Sequence, residues 1–122
     1  MQRILIVEDK ANSRELLRTV LEQQGYAVEE AQDGEQALVK IRERAPDLVL
    51  MDLHLPGLNG YDVLKEIRGN PQLASMPVVA VTANAMPGDH ERVLAAGFTG
   101  YISKPVALSM LREEVNRWLR PK

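Results

Sequence analysis

Apolar and polar positions along this chain follow two periods, and the switches between them mark out its elements. Ile4-Leu5-Ile6-Val7, Leu48-Val49-Leu50-Met51 and Pro77-Val78-Val79-Ala80-Val81 are nearly unbroken apolar runs, which predict strands buried on both faces of a parallel sheet. Tyr26-Ala27-Val28-Glu29-Glu30-Ala31 is more polar and suits a sheet edge, and Gly100-Tyr101-Ile102-Ser103 reads as a brief fifth strand. The stretches between carry helical spacing. Asn12 to Gln24 predicts a helix with Asn12 as cap, Glu15 as its reciprocal partner and Gly25 as its stop, burying Leu16, Leu17, Val20 and Leu21. Asp33-Gly34-Glu35-Gln36 repeats the capping logic for a second helix with Ala37, Leu38 and Ile41 on its apolar side. Tyr61 to Arg68 is a third, burying Val63, Leu64 and Ile67; a short fourth lies between Pro87 and Ala96, closed by Gly97. The fifth, Leu108 to Leu119, puts Leu108, Leu111, Val115, Trp118 and Leu119 on one face, with Trp118 as its anchor. Met51, Met76, Met86 and Met110 read as core filler.

Five strand-helix repeats imply parallel strands joined by right-handed crossovers, with helices on both faces of the sheet. A closed barrel of such units needs about 250 residues, and this chain has 122. The expected fold is therefore α/β, a flavodoxin-like open five-stranded parallel sheet in the order 2-1-3-4-5, filling one domain over residues 1–122.

Composition removes several classes of function. There is no cysteine, which excludes disulfides, thiolate metal sites and a cysteine nucleophile. Fifteen basic residues face 17 acidic ones for a formal net charge of -2, a balance that argues against nucleic acid as the main partner. The apolar start Ile4 to Val7 is too short for a signal peptide, and no segment approaches the roughly 20 apolar residues of a membrane span. A cytoplasmic domain, a monomer or weak dimer, is expected.

The chemistry lies at the strand ends. Asp52 closes the third apolar run, and a lone carboxylate there is poor core packing, because an unpaired buried charge costs several kcal/mol. In the 2-1-3-4-5 order it emerges at the carboxyl edge, where open sheets place ligand sites. Glu8 and Asp9 leave strand one at the same edge, Thr82 leaves strand four and Lys104 leaves strand five. Like charges about 4 Å apart repel by about 4 kcal/mol at an effective dielectric of 20, so three acids beside one ammonium call for a cation. Oxygen donors alone make that ion hard, and Mg2+ fits, held by one or two carboxylates and open to phosphate oxygens. A carboxylate beside it is a competent nucleophile toward phosphorus. The phosphoryl oxygens would then meet the metal, the Lys104 ammonium and the Thr82 hydroxyl.

Val7-Glu8-Asp9, Leu50-Met51-Asp52-Leu53 with Pro56-Gly57 and Gly60 behind it, Val81-Thr82-Ala83, and Tyr101-Ile102-Ser103-Lys104-Pro105 together resemble the conserved blocks of the response-regulator receiver domain of two-component signalling. The resemblance runs nearly end to end. It implies that Asp52 takes a phosphoryl group from a histidine kinase or histidine phosphotransfer protein, with Asp9 and Asp52 binding Mg2+ directly, Glu8 acting through water and the His54 carbonyl completing the protein ligands. It also implies that Lys104 pairs with the phosphoryl group through a cis peptide before Pro105, and that Thr82 moves in. Tyr101 would swing inward behind Thr82, reshaping the surface of helix four, strand five and helix five for a downstream protein. Thr82-Ala83-Asn84-Ala85-Met86 and Gly100 to Pro105 look closest to single-domain DivK-type regulators and to receivers of hybrid histidine kinases. Lys10 stands where those relatives often carry asparagine, and His54 and Asn84 stand at the positions that tune phosphate lifetime.

Other readings stand beside these. Glu8 and Asp9 could be a solvated turn, Asp52 a cap, Thr82 a loop residue and Tyr101 ordinary packing; His54 and His90 read as exposed residues rather than phosphoryl carriers. A stand-alone switch and a receiver excised from a hybrid kinase or multidomain regulator are both compatible with the chain. The competing class is an aspartyl-phosphate phosphatase, which wants an acid two residues beyond the nucleophile, where this chain has His54.

Overall fold

Each apolar run forms a strand of one parallel sheet. The computed structural model describes residues 1–83 and 88–119; Asn84, Met86 and the expected helix start at Pro87 lie outside them. The elements alternate as β1 (Arg3–Val7), α1 (Ala11–Gln23), β2 (Ala27–Ala31), α2 (Gly34–Glu43), β3 (Leu48–Asp52), α3 (Gly60–Gly69), β4 (Val78–Thr82), α4 (Asp89–Ala95), β5 (Gly100–Ser103) and α5 (Leu108–Trp118). The strand order is β2-β1-β3-β4-β5 with every pair parallel, as the pattern of runs predicts.

Because side chains alternate across a strand, each central strand feeds two cores. Leu5, Val7, Val49, Met51, Val78 and Ala80 pack with α2, α3 and α4 through residues such as Ile41, Leu64 and Val93. Ile4, Ile6, Leu48, Leu50, Val79 and Val81 pack with α1 and α5 through Leu17, Leu21, Leu111 and Val115. Along the same alternation, Asp52 belongs to the α1/α5 face and Thr82 to the α3/α4 face. Among the described residues no helix is long and apolar enough to cross a membrane.

Two helices depart from expectation. α1 begins at Ala11 with Lys10 before it and no side-chain cap, so Asn12 lies inside the helix and does not cap it with Glu15. The start is fixed from outside instead: the Lys10 N–H donates to a Glu8 carboxylate oxygen at 3.2 Å. α1 then faces the sheet through Leu17, Val20 and Leu21, and Leu16 is left 53% exposed on its flank. In α5 the buried positions are Leu111, Glu114 and Val115, whereas Leu108, Met110 and Trp118 are exposed. The reason is Gly100. A Cβ there would stand 2.6 Å from a Glu114 carboxylate oxygen, so the acid occupies the space a side chain on β5 would fill. Arg117 pairs with Glu114 at 3.1 Å and the Trp118 indole N–H donates to it at 3.3 Å, which draws Trp118 over the acid and out of the core.

Candidate functional site

The end of β1 is pinned before any side chain is considered. The Glu8 N–H donates to the Ala31 carbonyl at 3.1 Å, and the Glu8 carbonyl accepts from Arg14 of α1 at 2.9 Å. Asp52 is held as firmly from the other side. Gly57 turns the chain with φ +73°, and the Gly60 N–H donates to the Leu53 carbonyl at 3.2 Å. A Cβ on Gly60 would lie 2.8 Å from the Asp52 carbonyl, so only glycine lets α3 start this close behind the strand. Lys104 is placed by its own N–H, which donates to the Thr82 carbonyl at 2.8 Å, and the Lys104–Pro105 peptide is cis.

These constraints bring the strand-end residues together. Lys104 Nζ lies 2.8 Å from Glu8 Oε2 and 3.0 Å from Asp52 Oδ2. The other Asp52 oxygen, Oδ1, accepts from the His54 backbone N–H at 2.9 Å. Glu8 and Asp52 are only 2% and 6% exposed, so Asp52 sits at the carboxyl edge yet is buried, its charge met by an ammonium and an amide. Asp9 is exposed, and carboxylate oxygens of Glu8, Asp9 and Asp52 lie within 4.8 Å of one another. Three carboxylates and one ammonium leave a formal -2.

Burial pushes the Glu8 carboxyl up, and neighbouring Asp52 adds to this against the opposing Lys104 hydrogen bond. Burial alone would lower Lys104, but hydrogen bonds and charge from Glu8 and Asp52 outweigh it and hold it above the usual lysine value, so it stays cationic. Closely placed oxygen donors with excess negative charge and no competing sulfur suit a hard divalent cation, and the cluster fits Mg2+ on those grounds.

Thr82 closes β4 fully buried, with Ser103 as its register partner. Tyr101 is half-buried two residues before Ser103, on the side of α4, where its ring stacks on His90. His54 and His90 are exposed, as their sequence context suggests. Asn84 lies outside the described residues. Two features were not visible in the sequence. Arg14 reaches back to β1, which nothing in its spacing signals. Leu16, exposed on α1, joins Val81, Pro105 and Val106 in lining an apolar depression of about 200 Å³ beside Glu8 and Lys104.

An open parallel sheet of this order, with an acid cluster and a lysine at its carboxyl edge, defines a signalling receiver. The chain belongs to the response regulator receiver domain family, whose model matches residues 4–116. It is 40% identical over 116 residues to the polar-differentiation response regulator DivK of Brucella anthropi, covering 95% of this chain and 94% of that protein; DivK of Brucella ovis matches equally. Among solved structures, the receiver domain of sensor histidine kinase PA1611 from Pseudomonas aeruginosa, with a magnesium ion coordinated in its active site cleft, superposes with TM-score 0.88 at 38% identity over 96% of each chain. Chemotaxis protein CheY4 of Vibrio cholerae superposes with TM-score 0.91 at 29% identity, covering 98% of this chain and 99% of that one. The protein is a receiver of two-component signalling.

Proposed function

We propose that this receiver is a switch driven by phosphorylation of Asp52, and the observation that carries the proposal is the meeting of Glu8, Asp9, Asp52 and Lys104 at one sheet edge. Glu8, Asp9 and Asp52, with the His54 carbonyl, would hold Mg2+, which when bound supplies charge neutralisation for an incoming phosphoryl group. An Asp52 carboxylate oxygen attacks phosphorus, the bond from phosphorus to the donor imidazole nitrogen breaks, and the electron pair leaves on that nitrogen. Lys104, already cationic and within hydrogen-bond range of Asp52 Oδ2, then pairs with a phosphoryl oxygen, and the Thr82 hydroxyl takes another.

The donor is a phosphohistidine of a histidine kinase or phosphotransfer protein. The apolar depression between Leu16 of α1 and Pro105-Val106 opens beside Glu8 and Lys104 and gives such a protein a seat next to the reacting carboxylate. The phosphoryl group adds about -1.5 to -2 charge. Thr82 and Tyr101 convert that charge into a changed surface on α4, β5 and α5 for a downstream protein.

Asp52→Ala tests this. Wild type with Mg2+ and a phosphorylated phosphotransfer donor should take up phosphate, and Mg2+ with beryllofluoride should shift amide resonances around Tyr101 and α5. Both responses should fall to background in the variant; uptake that persisted would place the phosphate on another residue and end the proposal.

A further inference from the structure

The rings of His90 and Tyr101 stack with centroids 5.2 Å apart and planes inclined by 21°. His90 is exposed in the first turn of α4, whereas Tyr101 is half-buried on β5 against the core between the sheet and α2, α3 and α4. The stack therefore joins a surface helix to an edge strand. α4 has seven residues, starts from Gly88 without a side-chain cap and buries Val93. A helix this short draws its stability from tertiary contacts more than from its own turns, so a ring contact at its start weighs heavily. Burial raises the pKa of the Tyr101 phenol, and the charges of Asp89 on α4 and Tyr61 on α3 add to that rise; Tyr61 itself meets Phe98 edge-on at 5.6 Å. His90 is the aromatic ring that lies nearly parallel to Tyr101.

We propose that His90 is the positioning residue for Tyr101: its imidazole holds the phenol against α4 in the resting protein, and the inward swing of Tyr101 requires the stack to part. This rests on the switch reading above. A ring that moves from α4 toward Thr82 on β4 leaves the imidazole behind, so the contact exists in one state only. A contact of that kind shifts the equilibrium between states by its whole free energy. The stack opposes switching, and its strength sets how much phosphoryl input the protein needs.

The test follows Tyr101 ring resonances in the full chain while beryllofluoride is titrated at fixed Mg2+, in wild type, His90→Ala and His90→Phe. Alanine is the better helix former and His90 is exposed, so the Ala variant offsets part of the support that α4 loses with the ring contact. His90→Ala should lose the ring-current shift on resting Tyr101 and reach the same end state at about two- to twelvefold lower beryllofluoride, the range expected for losing one aromatic pair. His90→Phe should restore the resting shift and the wild-type midpoint, which a mere change of helix propensity would not do. Equal midpoints in all three proteins, or equal changes in Ala and Phe, would overturn the inference while leaving the switch reading intact. Absence of any Tyr101 response in wild type would sink the switch reading, and the inference with it.

Discussion

The carboxyl edge of the sheet is built differently on its two faces. Toward α1 and α5, Glu8 and Asp52 are buried, share one ammonium and have their backbones or carboxylates fixed by Ala31, Arg14 and His54. Toward α3 and α4, Thr82 is buried but Tyr101 lies half-exposed under a seven-residue helix, stacked on an exposed histidine. On the proposed function, the contrast separates two jobs. Covalent chemistry needs charges fixed in place before the reaction, whereas a signal needs an element held loosely enough to take a second position.

The largest expected effect falls on the first face. Lys104→Met leaves two buried carboxylates without their shared cation, and breaking such a pair costs about 2–3 kcal/mol, somewhat less than for a fully buried one. Denaturant unfolding without divalent cation should show that loss, and adding Mg2+ should recover more stability in the variant than in wild type. A cost under about 0.5 kcal/mol, in the range of an exposed ion pair, would mean that the acid face is not charge-strained and would erase the contrast.

A smaller effect tests the second face. The Arg68 guanidinium donates to the carbonyls of Gly97 at 3.0 Å, Ala74 at 3.1 Å and Met76 at 2.7 Å, and to the Thr99 hydroxyl at 3.2 Å. It joins the segments that enter β4 and β5, and its partial burial lowers its pKa. Arg68→Ala should cost about 2 kcal/mol, since the bonds involve a charged donor and leave half-buried carbonyls behind. Hydrogen exchange should quicken in α4 and at Phe98-Thr99 far more than in β1 and β3. Uniform quickening would show that the two faces open as one unit.

The first face was legible in the sequence because it is made of strand ends: once the order 2-1-3-4-5 is inferred, Glu8, Asp9, Asp52 and Lys104 have nowhere else to go. The second was legible only in part. Thr82 follows from the same logic and Tyr101 from the family resemblance, but His90 reaches Tyr101 through the placement of α4 on the sheet, which local pattern does not encode. The errors share that origin. Leu16 and Leu17 both fit a helical stripe, and only the angle of α1 to the sheet decides that Leu17 is buried. Trp118 leaves its expected place in the core and Glu114 is buried instead because Gly100, on β5, leaves room for a carboxylate. Arg68 ends the expected third helix, and its bonds to the loops before β4 and β5 carry no signal in its local pattern.

The smallest effect compares one tyrosine from each face. Tyr26, buried between α1 and α5, has its phenol pushed up by burial, and its hydroxyl donates to the Leu119 carbonyl at 3.3 Å. Tyr101 is pushed up by burial first, then by Asp89 and Tyr61. In the unfolded chain both lose their protons near pH 10. A raised folded value therefore means that their contribution to stability is complete below about pH 10 and falls as pH climbs through the folded values. The faces should differ in how the proton leaves. Tyr26 cannot ionise without giving up its burial, so its phenolate absorbance should appear together with loss of the circular dichroism signal. Tyr101 can ionise in the folded protein, so Tyr101→Phe should remove part of an absorbance rise that precedes unfolding, and Tyr26→Phe should remove part of the rise that coincides with it. An early step unchanged by Tyr101→Phe would show the phenol sealed as tightly as that of Tyr26, and the looseness ascribed to the signalling face would be wrong.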